Sequence, residues 1–229
     1  KRWEQPFAVP ARSMLYLSAI RDMLVASYSY HTGPYAEVFS TDAGAGDAIK
    51  ALGEPPKTAQ EKARSTLIRF GFMACDARTG TRRWQQEYTS TGVLGAQHNY
   101  NVSHPVFTSA AIYHNPAEQY LVTVDLATGA LRELKHIRRS KGCATPTASA
   151  RAMFYRSTGI ASFDFATEQQ LYVSDVSRPS CWMNVLPAGA VLLMPEYSVG
   201  CNCAFPLQTS IVLAPATPPL NHGSATCTP

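Results

Sequence analysis

The apolar positions of this chain come in short runs, without the three- and four-residue spacing of a helix face. "RSMLYLSAI" (12–20), "DMLVASYSY" (22–30), "TLIRFGFMACDA" (66–77), "HPVFTSAAIYH" (104–114), "QYLVTVDLA" (119–127), "RAMFYRS" (151–157), "IASFDFA" (160–166), "LYVSDV" (171–176) and "VLLMP" (191–195) are rich in β-branched and aromatic residues and bounded by turn residues. Many short strands separated by turns predict an all-β fold. The one stretch of helical character runs through "GAGDAIKAL" and "PKTAQEKARS", residues 44–65. It is polar and is interrupted by Pro55 and Pro56, so it reads as an excursion from a sheet with a turn or two of helix.

A repeat underlies the strands. "ACDARTGTRRW" (74–84), "TVDLATGALREL" (123–134) and "SFDFATEQQLYV" (162–173) each place an Asp before an Ala- and Thr-containing turn that leads into a strand. The three aspartates, Asp76, Asp125 and Asp164, lie 49 and 39 residues apart. In such a turn Asp accepts hydrogen bonds from the backbone, and glycine supplies the positive φ. A repeat of about 40–50 residues built from four strands has the size of one propeller blade.

Composition narrows the function classes. The net charge of +4 is spread over short, separated runs such as "RTGTRR" and "KHIRRSK", which is not the concentrated basic face of a nucleic-acid-binding domain. No apolar run approaches the ~20 residues of a membrane helix. The start, "KRWEQPFAVP", lacks the apolar region of a signal peptide and reads as a mature protein or a fragment. Six cysteines and 16 prolines with few lysines point to an oxidising compartment, periplasmic or extracellular.

The first repeat matches the Ala-x-Asp-x-x-Thr-Gly-x-x-x-Trp docking motif, and on it the chain resembles the PQQ-like repeat (quinoprotein-alcohol-dehydrogenase-like) β-propellers. The resemblance implies that Trp84 packs between adjacent blades. In the later copies Leu134 and Val173, or apolar residues near them, stand for the tryptophan, and Glu168 replaces the glycine. The C-terminal half, with "GCATPTASARAMFYR" and "SRPSCWMNVLPAGAVLLMPEYSVGCNCAFPLQTSIVLAP", is similar to the closing blades of secreted bacterial PQQ-like repeat proteins. The expected fold is therefore an all-β propeller with blades over roughly 3–90, 98–138, 142–176 and 178–215 and a tail at 216–229. Four blades fall short of the family's usual ring of about eight. The remaining blades are expected from a longer polypeptide, of which this is the C-terminal part, or from another chain.

Residues 181–210 lie where the resemblance places a cofactor. Family dehydrogenases stack PQQ on a tryptophan and a disulfide of adjacent cysteines, and bind calcium through Glu, Asn and Asp. Onto this chain that set carries over as Trp182, Asn184 and Glu196. Cys201 and Cys203 are separated by Asn202 and the stretch has no Asp, which argues against bound PQQ. A second reading makes Cys143, Cys181, Cys201 and Cys203 disulfide staples, with Trp182 as packing. A third gives the same sulfurs a transition metal, although Cys-x-Cys departs from the usual zinc spacing.

Histidines offer a separate candidate. If "TSA" (108–110) is the hairpin loop, His104 and His114 lie opposite each other on one face, with Cβ atoms about 5.5 Å apart. With His98 from the preceding loop they would suit a transition metal, as in propeller-fold polysaccharide lyases, and Arg156 or Arg178 would bind carboxylate. No nucleophile elbow, covalent-haem motif or phosphate-cradling glycine loop is present. The leading expectation is a secreted or periplasmic module that binds a protein or glycan without catalysis. The alternatives are a metal- or histidine-dependent enzyme on carbohydrate and a PQQ-dependent oxidoreductase.

Overall fold

Among the described residues, each strand hydrogen-bonds to the described strands next to it in sequence. The computed structural model describes residues 3–6, 14–32, 67–89, 104–117, 120–137, 139, 145–174, 179, 185–196 and 209–215. The first sheet comprises β1 (Met14–Ile20), β2 (Met23–Thr32), β3 (Leu67–Asp76) and β4 (Arg82–Thr89). The second holds β5 (Val106–Phe107), β6 (Ala111–Ala117), β7 (Tyr120–Asp125) and β8 (Leu131–His136). The third holds β9 (Thr147–Ala148), β10 (Ala152–Ser157), β11 (Gly159–Asp164) and β12 (Gln170–Ser174). The fourth, with β13 (Leu186–Ala188), β14 (Val191–Met194) and β15 (Ile211–Leu213), has three strands among the described residues. These antiparallel meanders make the chain an all-β array of propeller blades, as the strand pattern predicts. The expected helical excursion at 44–65 lies outside the described residues.

Three Asp-turns join the third and fourth strands of the first three sheets, and their chemistry is the same. Asp76 Oδ1 accepts from the backbone N–H groups of Arg78 and Thr79 at 3.0 and 2.9 Å. Asp125 Oδ1 accepts from Ala127 and Thr128 at 2.9 and 2.8 Å, and Asp164 Oδ1 from Ala166 and Thr167 at 2.9 and 2.8 Å. The fourth residue after each Asp adopts positive φ: Gly80 and Gly129 at 75°, Glu168 at 56°. In the first two sheets a bulge follows, between Ala74 and Cys75 and between Thr123 and Val124. It lets Arg83 and Arg132 reach back to the Asp76 and Asp125 carboxylates. In the third sheet the bulge has moved to Ile160/Ala161 and Leu171 stands where the arginine was.

The tryptophan of one blade closes over the turn of the next. Trp84 lies on Gly129 so closely that a Cβ there would come 2.5 Å from the indole. Its Nε1–H donates to the Leu126 carbonyl at 3.1 Å. Trp3 repeats the contact on Gly80, with Nε1–H donating to the Ala77 carbonyl at 3.1 Å. The tryptophan's ladder position, opposite Ala74, corresponds to Glu133 opposite Thr123 and Leu171 opposite Ser162. Glu133, not Leu134, therefore stands for the tryptophan in the second sheet: it follows Asp125 by eight residues as Trp84 follows Asp76, and the bulge is the same in both sheets. At that seam an ion pair takes over: Lys135 bonds Glu168 at 2.5 Å and lies over the Phe163 ring at 5.7 Å.

Apolar side chains fill each seam. Val25, Phe72, Ala74 and Trp84 pack on Ile112, Val122, Val124 and Leu126. Val106, Ala111, Tyr113 and Leu121 meet Met153, Tyr155, Ala161 and Phe163. Ile160 and Phe154 meet Val185, Leu192, Met194, Ile211 and Leu213. Each fully buried aliphatic or aromatic side chain contributes about 1.5–3 kcal/mol, so the seams hold most of the fold's favourable energy.

Two tests follow from the turns. Gly129→Ala puts a Cβ into the Trp84 indole at a positive φ and is expected to cost about 2 kcal/mol or more. Glu168→Gly, at the same turn position, relieves a left-handed backbone and gives up a half-exposed ion pair, so it is expected to stabilise by no more than about 1 kcal/mol. Chemical denaturation of both variants checks the pair, and equal signs contradict it. The second test is acid. Arg132 and the turn amides hold the Asp125 carboxyl down at about 2, Arg83 holds Asp76 well below its ordinary range, and the Thr167 and Ala166 amides lower Asp164. Depressed carboxyls stabilise the fold above pH of about 4, and that stability is lost as pH falls through the folded values. Melting temperature is expected to fall between about pH 4 and pH 2, and Asp125→Asn to melt lower at neutral pH with a shallower acid slope.

Candidate functional site

The two ends of the sheets differ in how the chain turns. At one end, the turn end, the connections are short: Arg21–Asp22, residues 77–81, 108–110, 126–130, 149–151, 165–169 and Gly189–Ala190. At the other, the loop end, the chain leaves through residues 33–66, 90–105, 137–146, 175–185 and 195–210, while Ala117 pairs with Tyr120 and Thr158 alone joins β10 to β11. Strand alternation fixes this division, since first-to-second and third-to-fourth connections always fall together.

Buried polar side chains concentrate at the loop end of the seams. In the first seam His114, 2% exposed, shares a hydrogen bond through Nδ1 with the Tyr88 hydroxyl. Its ring stands edge-on to Phe70 at 4.9 Å and Phe72 at 5.7 Å. Burial pushes the Tyr88 phenol far above its ordinary range, so it stays neutral and protonated. In the second seam Arg139, 5% exposed, donates to Asn115 Oδ1. Tyr155 lies on the same face as this seam's core, and its buried hydroxyl finds no partner among the described residues. Desolvation raises that phenol too. In the third seam Arg156 is fully buried, sharing through the pleat the face of Phe154 and Ile160.

A further polar cluster marks the loop end of the first sheet. Tyr28 and Tyr30 stack with centroids 6.4 Å apart, and their hydroxyls donate to Glu87 at 2.8 and 3.1 Å. Gln85 donates to the Tyr28 oxygen at 3.0 Å, and Arg69 lies 3.7 Å from Glu87. Desolvation, joined by the Glu87 carboxylate, raises the Tyr28 phenol, which remains a donor at neutral pH.

The histidine pair expected from the sequence is not formed. The hairpin loop is two residues, Ser109 and Ala110, closed by Thr108 N–H to the Ala111 carbonyl at 2.9 Å. Phe107 then pairs with Ile112 and Val106 with Tyr113, so His104 is not opposite His114. Pro105 further takes His104 off the strand. The His104 ring meets Tyr16 at 4.9 Å, its Nδ1–H donates to the Pro105 carbonyl at 2.8 Å, and its Nε2 faces the Ser18 hydroxyl at 3.4 Å. His104 thus ties β5 to β1, whereas His114 rests on β3 and β4. Among the described residues no group of three His, Cys, Asp or Glu side chains is placed to hold a metal.

Several expected site residues fall outside the described residues: His98, Trp182, Asn184, Arg178 and the staple candidates Cys143, Cys181, Cys201 and Cys203. Glu196 is described. It follows β14 at the loop end, and its backbone N–H donates to Ser210 Oγ at 3.0 Å. Cys75 is a free thiol buried beside Ala26 and Met73. Arg156, expected to bind an external carboxylate, is instead enclosed within a seam. Asn115, Arg139, Tyr88 and Tyr155 gave no sequence signal, because each polar role arises only where two blades meet.

The histidines separate by their surroundings. His114→Ala empties a buried ring site and removes the Tyr88 partner, with an expected cost of about 2–4 kcal/mol. His104→Ala, part-buried, is expected to cost about 1 kcal/mol. Denaturant unfolding checks the order, and a larger effect at His104 contradicts it.

No helix of the described residues is long and apolar enough to cross a membrane. No family model and no curated protein matches the chain. Among solved structures it is similar to BamB from Moraxella catarrhalis at 17% identity and a TM-score of 0.35, over 56% of this chain and 54% of that one. It is also similar to HIRA(644-1017) at 9% identity and a TM-score of 0.40, over 83% of this chain and 49% of that one. The chain spans about half the length of each of these structures.

Proposed function

We propose that the chain is a propeller recognition module, secreted or periplasmic, that binds a protein or glycan partner at its loop end without turning it over. One observation carries this reading: the turn end is locked by Asp-turns and short hairpins, while all the long connections leave the opposite end. Binding residues sit disproportionately on loops that a rigid scaffold positions. The Glu87 cluster at that end, with Arg69 and Gln85 exposed and Tyr30 half-buried over the buried Tyr28, puts an aromatic ring next to charge. Such a mixture suits contact with polar partners.

Photo-crosslinking from defined positions tests this. A benzoylphenylalanine placed at Thr158 or Arg69, at the loop end, is expected to capture a partner in extracts of the source cells. The same group at Ala127 or Ala166, on the exposed turns, is expected to capture little. Capture confined to the turn-end positions overturns the assignment, and identification of the captured species by mass separates protein from glycan.

A further inference from the structure

The first seam holds a serine–histidine pair that neither blade contains alone. Ser18 stands on β1 opposite Val25, and Val25 belongs to the core of that seam, so the two side chains share a face. His104 arrives from the second sheet, two residues before β5. Its Nε2 lies 3.4 Å from the Ser18 hydroxyl, and catalytic hydrogen bonds are often this long before substrate binds. Both residues are half-buried, so a small molecule can reach them. The pair sits two residues from the Arg21–Asp22 turn, away from the loop end, and is independent of recognition there.

The backbone sets the tautomer of the histidine. His104 Nδ1 lies 2.8 Å from the Pro105 carbonyl, which can only accept. The proton therefore sits on Nδ1, and the Nε2 lone pair faces the Ser18 hydroxyl. A nucleophile within reach of a base, and a base oriented by a third group, is the pattern of an activated serine. The imidazole is also held edge-on to Tyr16 at 4.9 Å and to Phe107 at 6.4 Å. Arg21 clamps the same end of the seam by donating to the Ser109 carbonyl at 3.1 Å. Among the described residues β1 is the edge of its sheet. Alternate backbone N–H groups along it point away from β2 and give donors beside Ser18 for an oxyanion.

We infer that Ser18 is a nucleophile activated by His104, and that it takes the acyl group of small activated carboxylic esters. Ser18 Oγ bonds the acyl carbon as its proton passes to His104 Nε2. Collapse of the tetrahedral oxyanion breaks the ester C–O bond, and the leaving oxygen takes the proton from Nε2. Water then attacks the acyl-serine in the same way, releasing the acid and restoring the Ser18 hydroxyl. A carbonyl steadies the imidazolium less than a carboxylate would, which confines the reaction to esters with a good leaving group. The Tyr16 and Phe107 rings beside His104 favour a short apolar acyl or aryl group.

An alkyl fluorophosphonate, with labelled sites read by peptide mass spectrometry, tests the inference on the native protein. Ser18 is expected to be labelled about tenfold or more faster than Ser109 and Ser149, which are exposed on hairpin loops. His104→Ala, and His104→Gln as a second variant of similar volume, are expected to slow labelling of Ser18 by about a hundredfold while each still unfolds cooperatively. Ser18→Ala is expected to lower the release of p-nitrophenol from p-nitrophenyl acetate. Labelling of Ser18 no faster than that of Ser109, an unchanged rate in a folded His104 variant, or unchanged release in Ser18→Ala overturns the inference and leaves the pair a structural tie between blades.

Discussion

The contact on which the array depends is the closure of one blade's tryptophan over the next blade's Asp-turn. It works only because three requirements are met at one point. The Asp carboxylate ties up the turn amides, the residue at positive φ has no Cβ to obstruct the indole, and the indole N–H has a carbonyl to receive it. Taking away any one leaves either a clash or a buried donor without an acceptor. Because the contact joins neighbouring blades, it sets the spacing at which the seams pack, and the apolar seams supply the larger energy once they are held in register.

The second seam shows how much of this arrangement can change. Glutamate occupies both the glycine position, at Glu168, and the tryptophan position, at Glu133, yet the turn keeps its positive φ and its Asp bonds. Lys135 bridges the two carboxylates at 2.5 and 3.5 Å and covers the Phe163 ring. An exposed ion pair of this kind contributes little on its own, so this seam relies more heavily on Tyr113, Met153 and Phe163. Tyr113 is also stacked on Phe165 at 4.5 Å.

Local chemistry was legible in the sequence, and chemistry between blades was not. The Asp-turns could be read because all their donors and acceptors lie within a few residues, and the strands because turn residues bound them. The His104–His114 pairing turns on a single residue: a three-residue loop places the two opposite each other, the observed two-residue loop does not, and Pro105 lies off the strand besides. For the tryptophan equivalents, counting eight residues from the Asp already reaches Glu133 in the second sheet, whereas in the third the bulge at this place is missing and the ladder puts Leu171 there, one residue short of the count, a shift with no mark in composition. Arg139, Asn115 and Tyr88 were invisible because each is an ordinary polar residue until a neighbouring sheet removes its water. Arg156 reads in the sequence as a charge, but its complete burial belongs to the packing of the third sheet on the fourth.

These differences bear on where recognition can evolve. The turn end cannot vary freely, because each Asp-turn is a part of a seam and a substitution there is felt by two blades. At the loop end the connections leave strands whose registers are already set by the sheet ladders. Its seams nevertheless finish in paired polar groups, His114 with Tyr88 and Asn115 with Arg139, where an apolar group would have sufficed for packing. Hydrogen bonds are directional, so these pairs fix the azimuth of one blade against the next at the level from which the loops depart. A surface built from several blades needs that precision, because a small rotation at a seam is magnified at the tip of a long connection. The buried polar pairs thus link the stability of the seams to the geometry of the end from which the long connections depart.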